Sequence, residues 1–303
     1  MKLTYYALWY LKCRLLGKRI PLESEVYITT RCNLNCRHCF IRGAIASGSL
    51  KEVELKYEEI LRVLKYCYNA GSRIVWFEGG EPLLWRDEDY SLEDLVQEAK
   101  RTGFFAVTFT TNGTLPIKSG ADLIWVSIDG TREIHDQIRG KGSFDWLIEN
   151  VEGSSHPRIY ANMIINPLNY RVVEDVVKMV AQSKGFRAIS MSFHTPHPGV
   201  EDLFLPWEKR KEVLDKVIEL KKHGFPIINS FAGLNLHYSN KWKRRCWMNN
   251  FAFPDGEIHS ECWGSRDGIC DRCGYGMGAE MSALFDLKPS TIGAALRLFS
   301  GRI

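Results

Sequence analysis

The stretch Cys32-Asn-Leu-Asn-Cys36-Arg-His-Cys39 follows a β-branched and aromatic run, Glu23 to Thr30, and spaces its cysteines by three residues and then two. Three thiolates on one loop can hold three irons of a cubane cluster and leave the fourth open, because four protein ligands close such a site. An open iron is what a cluster needs to bind a molecule as well as pass electrons. The alternative is a structural zinc site with a distant fourth ligand. Zinc knuckles prefer two paired ligand groups, and this triplet has no fourth cysteine nearby.

Working outward, strands alternate with helices. Tyr57 to Tyr68 carries a helical apolar period and stops at Asn69-Ala-Gly71. Arg73 to Phe77 reads as a strand ending at Gly79-Gly80, and Ser91 to Arg101 as a helix capped by Ser91 with Asp94 three residues on. Phe104 to Thr110, Leu123 to Ile128, Arg158 to Ile165 and Arg187 to Phe193 read as further strands, with helices over Ser143 to Val151 and Tyr170 to Ser183. Six strands with helical crossovers predict an α/β fold with a parallel sheet, a partial (βα)6 barrel whose site sits at the C-terminal strand ends. After the amphipathic helix Pro206 to His223, the rhythm becomes short, aromatic and cysteine-rich. The expected division is a basic aromatic segment over 1–22, the barrel over 23–225, and a small cysteine-rich extension over 226–303.

The cysteine triplet, followed in order by Gly79-Gly80-Glu81-Pro82, Thr111-Asn112-Gly113 and Ser127-Ile128-Asp129-Gly130, resembles the radical S-adenosylmethionine (radical SAM) superfamily. His38 loosely fits the aromatic slot before the third cysteine. The resemblance implies a [4Fe–4S] cluster on Cys32, Cys36 and Cys39. It also implies S-adenosylmethionine (SAM) held near His38, Gly79, Gly80, Glu81 and Asn112, with Ser127 and Arg139 on its carboxylate. The implied chemistry is one-electron cleavage of SAM to methionine and a 5′-deoxyadenosyl radical, which attacks an unactivated carbon; a low-potential electron donor is then required. Asn162 and Asn166 border the fifth strand within reach of an adenosine, although Asn166 suits a helix cap equally. His194 and His197 follow the sixth strand near the expected mouth, where a structural role competes with a substrate contact.

Cys246, Cys262, Cys270 and Cys273 form a second set around a hairpin that turns at Asp255-Gly256. Ligand identity alone leaves zinc and iron–sulfur open. The arrangement resembles the SPASM and twitch extensions of radical SAM enzymes, which implies an auxiliary [4Fe–4S] cluster. The tail, Cys270 to Glu280, and the lead-in, Leu16 to Pro21, are similar to enzymes that adenosylate hopanoids. Cys67 reads as a small core residue, and Cys13 receives no role.

The chain has 303 residues, 45% apolar and 25% charged, with net charge +4. That balance argues against a disordered chain or a nucleic-acid binder. Nine cysteines, an odd number, without the order of a secretory signal in Met1-Lys-Leu-Thr-Tyr-Tyr point to a reduced, cytoplasmic setting. No apolar run reaches membrane-spanning length. Residues 1–20 nevertheless combine Lys2, Lys12, Arg14, Lys18 and Arg19 with aromatic residues and no acid, which suits a peripheral membrane contact or an extra helix on the barrel. The expected substrate is an organic molecule, lipid or isoprenoid, ribosomal peptide or cofactor precursor. The competing reading is a non-catalytic metal-binding or redox-sensing protein that kept the barrel.

Overall fold

The computed structural model describes residues 2–301. In chain order the main elements are α1 (Lys2–Leu15), β1 (Glu23–Thr29), α2 (Phe40–Ala46), α3 (Tyr57–Ala70), β2 (Ile74–Gly79), α4 (Leu92–Thr102) and β3 (Ala106–Thr111). There follow β4 (Leu123–Ser127), α5 (Arg132–Arg139), α6 (Ser143–Glu152), β5 (Ile159–Ile165), α7 (Val173–Gln182) and β6 (Phe186–Phe193). The last part holds α8 (Trp207–Lys222), α9 (Phe231–Ser239), β7 (Asn249–Ala252), β8 (Ile258–His259), α10 (Trp263–Arg266), α11 (Gly276–Phe285) and α12 (Pro289–Ser300).

Strands β1 to β6 lie side by side in sequence order, all parallel. Successive residues of a strand face opposite sides. Val75, Phe77, Val107, Phe109, Ile124 and Val126 join the apolar layer under the helices. Their neighbours Trp76, Glu78, Thr110, Trp125 and Ser127 face a cavity inside the barrel. The helices form where the period foretold. In α3, Ile60, Val63, Leu64 and Cys67 are buried, and Gly71 ends it at φ +120°. The Ser91–Asp94 cap forms, with Asp94 accepting from the Ser91 N–H at 2.8 Å.

The chain beyond residue 225 is built onto the same sheet. β7 pairs in parallel with β1, Glu23 opposite Asn249, and β8 returns antiparallel after the Asp255-Gly256 turn. Leu298 of α12 packs with Trp76, Trp125 and Tyr160 inside the barrel, below the cavity. The first helix packs with Trp9 and Cys13 against Met248, Met281 and Phe285. Its other face leaves Leu8, Leu11 and Leu15 exposed, together with Leu3 and Leu16 nearby. Cys67 is a core residue, as its helical position implied.

One buried cation ties β6 to the cysteine-rich end. Arg210 of α8 donates to the carbonyls of Leu205 (3.0 Å), His194 (2.9 Å) and Cys273 (3.3 Å) and stacks on Phe193, Phe204 and Trp207. Burial lowers its pKa to about 10. Arg210→Met should leave three buried carbonyls unpaired and cost about 2–4 kcal/mol. Urea unfolding of the wild type and variant measures this; an unchanged midpoint would show that the carbonyls find other donors.

Candidate active site and its cysteine clusters

The cysteine loop leaves the C-terminal end of β1 and runs across the barrel mouth. Cys32, Cys36 and Cys39 all line the cavity, which measures about 280 Å³. Each sulfur has a donor directed at it. The Leu34 N–H lies 3.4 Å and the Asn112 amide 3.8 Å from Cys32 Sγ, the Arg42 N–H 3.5 Å from Cys39 Sγ, and Arg139 Nη1 3.9 Å from Cys36 Sγ. Burial raises the thiol pKa of Cys32 and takes that of Cys36 to about 11. Free thiolates are therefore costly here, and a cluster that neutralises them suits the loop. Donors to sulfur are the means by which a protein tunes such a cluster.

Asp129, which follows β4, organises this end and is 0% exposed. Its carboxylate accepts from Arg139 Nε at 2.6 Å and the Ile164 N–H at 3.0 Å, with His38 Nε2 3.5 Å away. Burial alone would raise its pKa; Arg139, with His38, His135 and the Ile164 N–H, outweighs it and holds the carboxyl below its usual range. Burial takes His38 down to about 4, so its imidazole is neutral at pH 7. Ser127, Asn112, Arg139 and His38 stand together on the cavity wall with Gly79 and Gly80. A side chain on Gly80 would lie 2.3 Å from the Arg31 carbonyl, so only glycine lets this turn pass the cysteine loop.

Glu81 departs from the expectation. Its carboxylate is buried and absent from the cavity wall. It accepts from Thr111 Oγ1 (2.8 Å), the Asn112 N–H (2.7 Å) and the Leu83 N–H (3.1 Å). Three donors from its own chain make it a clasp between the turn after β2 and the turn after β3. Asn166 also lies off the cavity, its side chain accepting from the Leu168 N–H within a turn, whereas Asn162 lines the wall.

The second cysteine set lies beside the mouth. Cys262 precedes α10, and its neighbour Cys246 lowers its pKa to about 6; Cys262, burial, Cys273 and Cys270 raise that of Cys246. Four thiols brought together suit a group that takes up their charge as thiolates. Among the described residues, no three His, Cys, Asp or Glu side chains form a tight single-ion site. The next residues reach the mouth directly. The Phe193 N–H donates to the Gly274 carbonyl at 2.9 Å, and Tyr275 and Met277 line the cavity. His197 joins the two parts, with Nδ1 2.6 Å from Asp267 and Nε2 3.2 Å from Tyr275 Oη, while His194 Nε2 bonds to the Val200 carbonyl at 2.8 Å. Burial lowers both histidine pKa values.

Residues 26–154 match the family model for the radical SAM superfamily. These residues form a radical SAM domain. Fe-coproporphyrin III synthase of Methanosarcina barkeri is 31% identical over 220 residues, 66% of this chain and 52% of that protein. The chain thus spans about half the length of that relative. A probable GTP 3′,8-cyclase of Thermoplasma volcanium is 28% identical over 238 residues, 71% of this chain and 70% of that protein. In fold, the chain is similar to Streptococcus suis SuiB bound to S-adenosylmethionine (TM-score 0.65, 15% identity, 93% of this chain and 69% of that one). It is also similar to native anSMEcpe with bound AdoMet (TM-score 0.62, 20% identity, 80% and 75%). The radical SAM family implies a [4Fe–4S] cluster and SAM.

The sequence reading missed the role of Asp129, buried behind Arg139, and on the cavity floor it missed Glu25, Glu78, Trp76 and Trp125. The signal for the glutamates was present. Carboxylates at alternate positions of strands buried in a parallel sheet are out of place unless they face a polar cavity. Asp129→Asn should strand the Arg139 charge, lower stability by about 3–5 kcal/mol and reduce iron retained after reconstitution. Chemical unfolding and iron analysis read the two effects; full stability and full iron would remove Asp129 from the centre of the site.

Proposed function

We propose that this protein is a radical SAM enzyme that modifies an unactivated carbon of an organic substrate held in the barrel cavity. The convergence of Cys32, Cys36 and Cys39 on the wall that also carries Gly79, Gly80, Ser127 and Arg139 carries this reading. A [4Fe–4S] cluster on the triplet would supply one-electron reductive cleavage of SAM. This chain's own residues do the rest. Asp129 fixes Arg139 for the SAM carboxylate, the glycine turn exposes backbone to its amino group, and Glu81 holds that turn against the Asn112 turn. Phe40, Tyr27 and Tyr275 give the cavity apolar walls that exclude water.

We further assign Cys246, Cys262, Cys270 and Cys273 to an auxiliary [4Fe–4S] cluster, an arrangement of the SPASM or twitch kind, fed by a low-potential donor. A GTP-like substrate is disfavoured by the cavity itself. Among the described residues Arg139 is the only arginine or lysine on its wall, and it is assigned to the SAM carboxylate. A triphosphate calls for several cations.

Anaerobic reconstitution tests the reading. The wild type should carry about eight irons per chain and form 5′-deoxyadenosine with dithionite and SAM. The Cys32/Cys36/Cys39→Ala variant should keep about half the iron and form none. SAM cleavage persisting in that variant would refute the assignment. Zinc with only about four irons in the wild type would make the second set a structural clasp.

The exposed leucines of α1, beside Lys12, Arg14 and Lys18, also support a peripheral contact with an anionic lipid surface. Each basic residue near such a surface contributes about 1 kcal/mol, weakened by salt. Wild type should float with phosphatidylserine vesicles at low salt, and Leu8/Leu11/Leu15→Ser should stay in the pellet fraction. Equal behaviour of the two proteins would exclude the contact.

A further inference from the structure

The floor of the cavity has a chemistry of its own. Glu25 of β1 and Glu78 of β2 sit deep in the barrel, yet both are on the cavity wall, as are Trp76 and Trp125, stacked with ring centroids 5.3 Å apart. Glu78 Oε1 accepts from Thr110 Oγ1 at 2.7 Å, and Thr110 accepts from the Trp76 indole at 2.7 Å. Glu25 is met only by long contacts, Tyr27 Oη at 3.3 Å and Asn249 Nδ2 at 3.4 Å. Beneath them Glu23, 3% exposed, adds a third carboxyl whose Oε1 has no partner. None of these carboxylates is paired with a cation among the described residues. Burial raises the pKa of Glu25 to about 7, with Cys262 adding to it, and that of Glu78 to about 8, with Glu25 adding to it.

Two further observations point to a ligand at this spot. Trp125 is 4% exposed and its indole N–H, on a cavity-lining ring, has no acceptor. Asn249 is 7% exposed, and its Oδ1 is likewise unpartnered beside Glu25. Buried polar atoms without partners are costly, and such groups mark places where a ligand completes the set. Carboxylates attract cations by charge, and an indole beside them adds the pull of its ring quadrupole where a face is open.

We propose that Glu25 and Glu78, with Trp76 and Trp125, form a subsite for a compact organic cation, an alkylammonium or guanidinium group carried by the substrate. The proposal rests on the functional reading above in one respect, that the cavity receives the substrate. The cation would occupy the floor, with the remainder of the molecule extending toward the cysteine loop. Hydrogen bonds to Glu25 and Glu78 would set its depth, and the Trp125 N–H would meet an acceptor oxygen on the same molecule.

The test uses reconstituted holoenzyme saturated with SAM, titrated anaerobically with n-butylammonium and n-butylguanidinium. 1-Pentanol and pentanoate serve as neutral and anionic counterparts. Tryptophan fluorescence and calorimetry report binding. The cations should bind at least about tenfold more tightly than the alcohol, and pentanoate should not bind. Glu25→Gln and Glu78→Gln should each remove most of that preference. Equal affinity for alcohol and cation in the wild type overturns the proposal even where a variant fails to fold. So does cation binding that SAM abolishes, since the carboxylates would then serve the SAM sulfonium. 5′-Deoxyadenosine formation by the wild type, measured separately, reports on the enzymatic reading, so the two can fail independently.

Discussion

The Asp129–Arg139 pair is the contact on which the mouth of this barrel depends. A carboxylate and a guanidinium removed from water hold their charges only when each finds good partners. Asp129 finds them on three elements: Arg139 at the end of α5, the Ile164 N–H of β5, and His38 of the cysteine loop. Arg139 in turn points its second nitrogen at Cys36. One buried charge therefore fixes the loop that carries the triplet relative to the strand ends that complete the wall. Arg37 adds a backbone bond from the same loop to Ile138.

A second buried carboxylate repeats this logic without a cation. Glu81 is satisfied by two backbone N–H groups and a threonine hydroxyl, so the turns after β2 and β3 move as one unit. Burial leaves its pKa near 7, the cost of using a carboxylate as a clasp. The site thus rests on polar connections between neighbouring strand ends, while the apolar layer under the helices supplies the rigid frame. Precision of this kind suits chemistry that depends on holding a reactive molecule away from water.

Much of this was legible in the residues. The six strands fall where the apolar runs place them, because β-branched runs ending in glycine turns have few other uses in an alternating pattern. The triplet and the glycine turn meet on one wall because both follow ends of adjacent parallel strands. What stayed hidden was long-range. Nothing in Asn249-Asn-Phe-Ala252 announces a strand that pairs in parallel with β1. Glu81 reads as a ligand-facing acid in the sequence, since the motif shows its position but not which way its side chain turns. Helix α1 was readable as an extra helix on the barrel, but with polar and apolar residues mixed around it the sequence did not show which face packs.

The pairing of β7 with β1 has a consequence for how the protein comes into being. Glu25 and Asn249, joined by a hydrogen bond, are 224 positions apart in the chain. Closing so long a loop is slow, and it cannot begin on a ribosome until the residues around Asn249 have been made and have emerged. Until then the cysteine loop follows a strand with a bare edge, and the floor glutamates lie open to water. The chamber is finished last, by the segment that brings the other four cysteines with it. The two thiol sets, one on a local loop and one on the closing segment, therefore come beside the same cavity only when that strand docks.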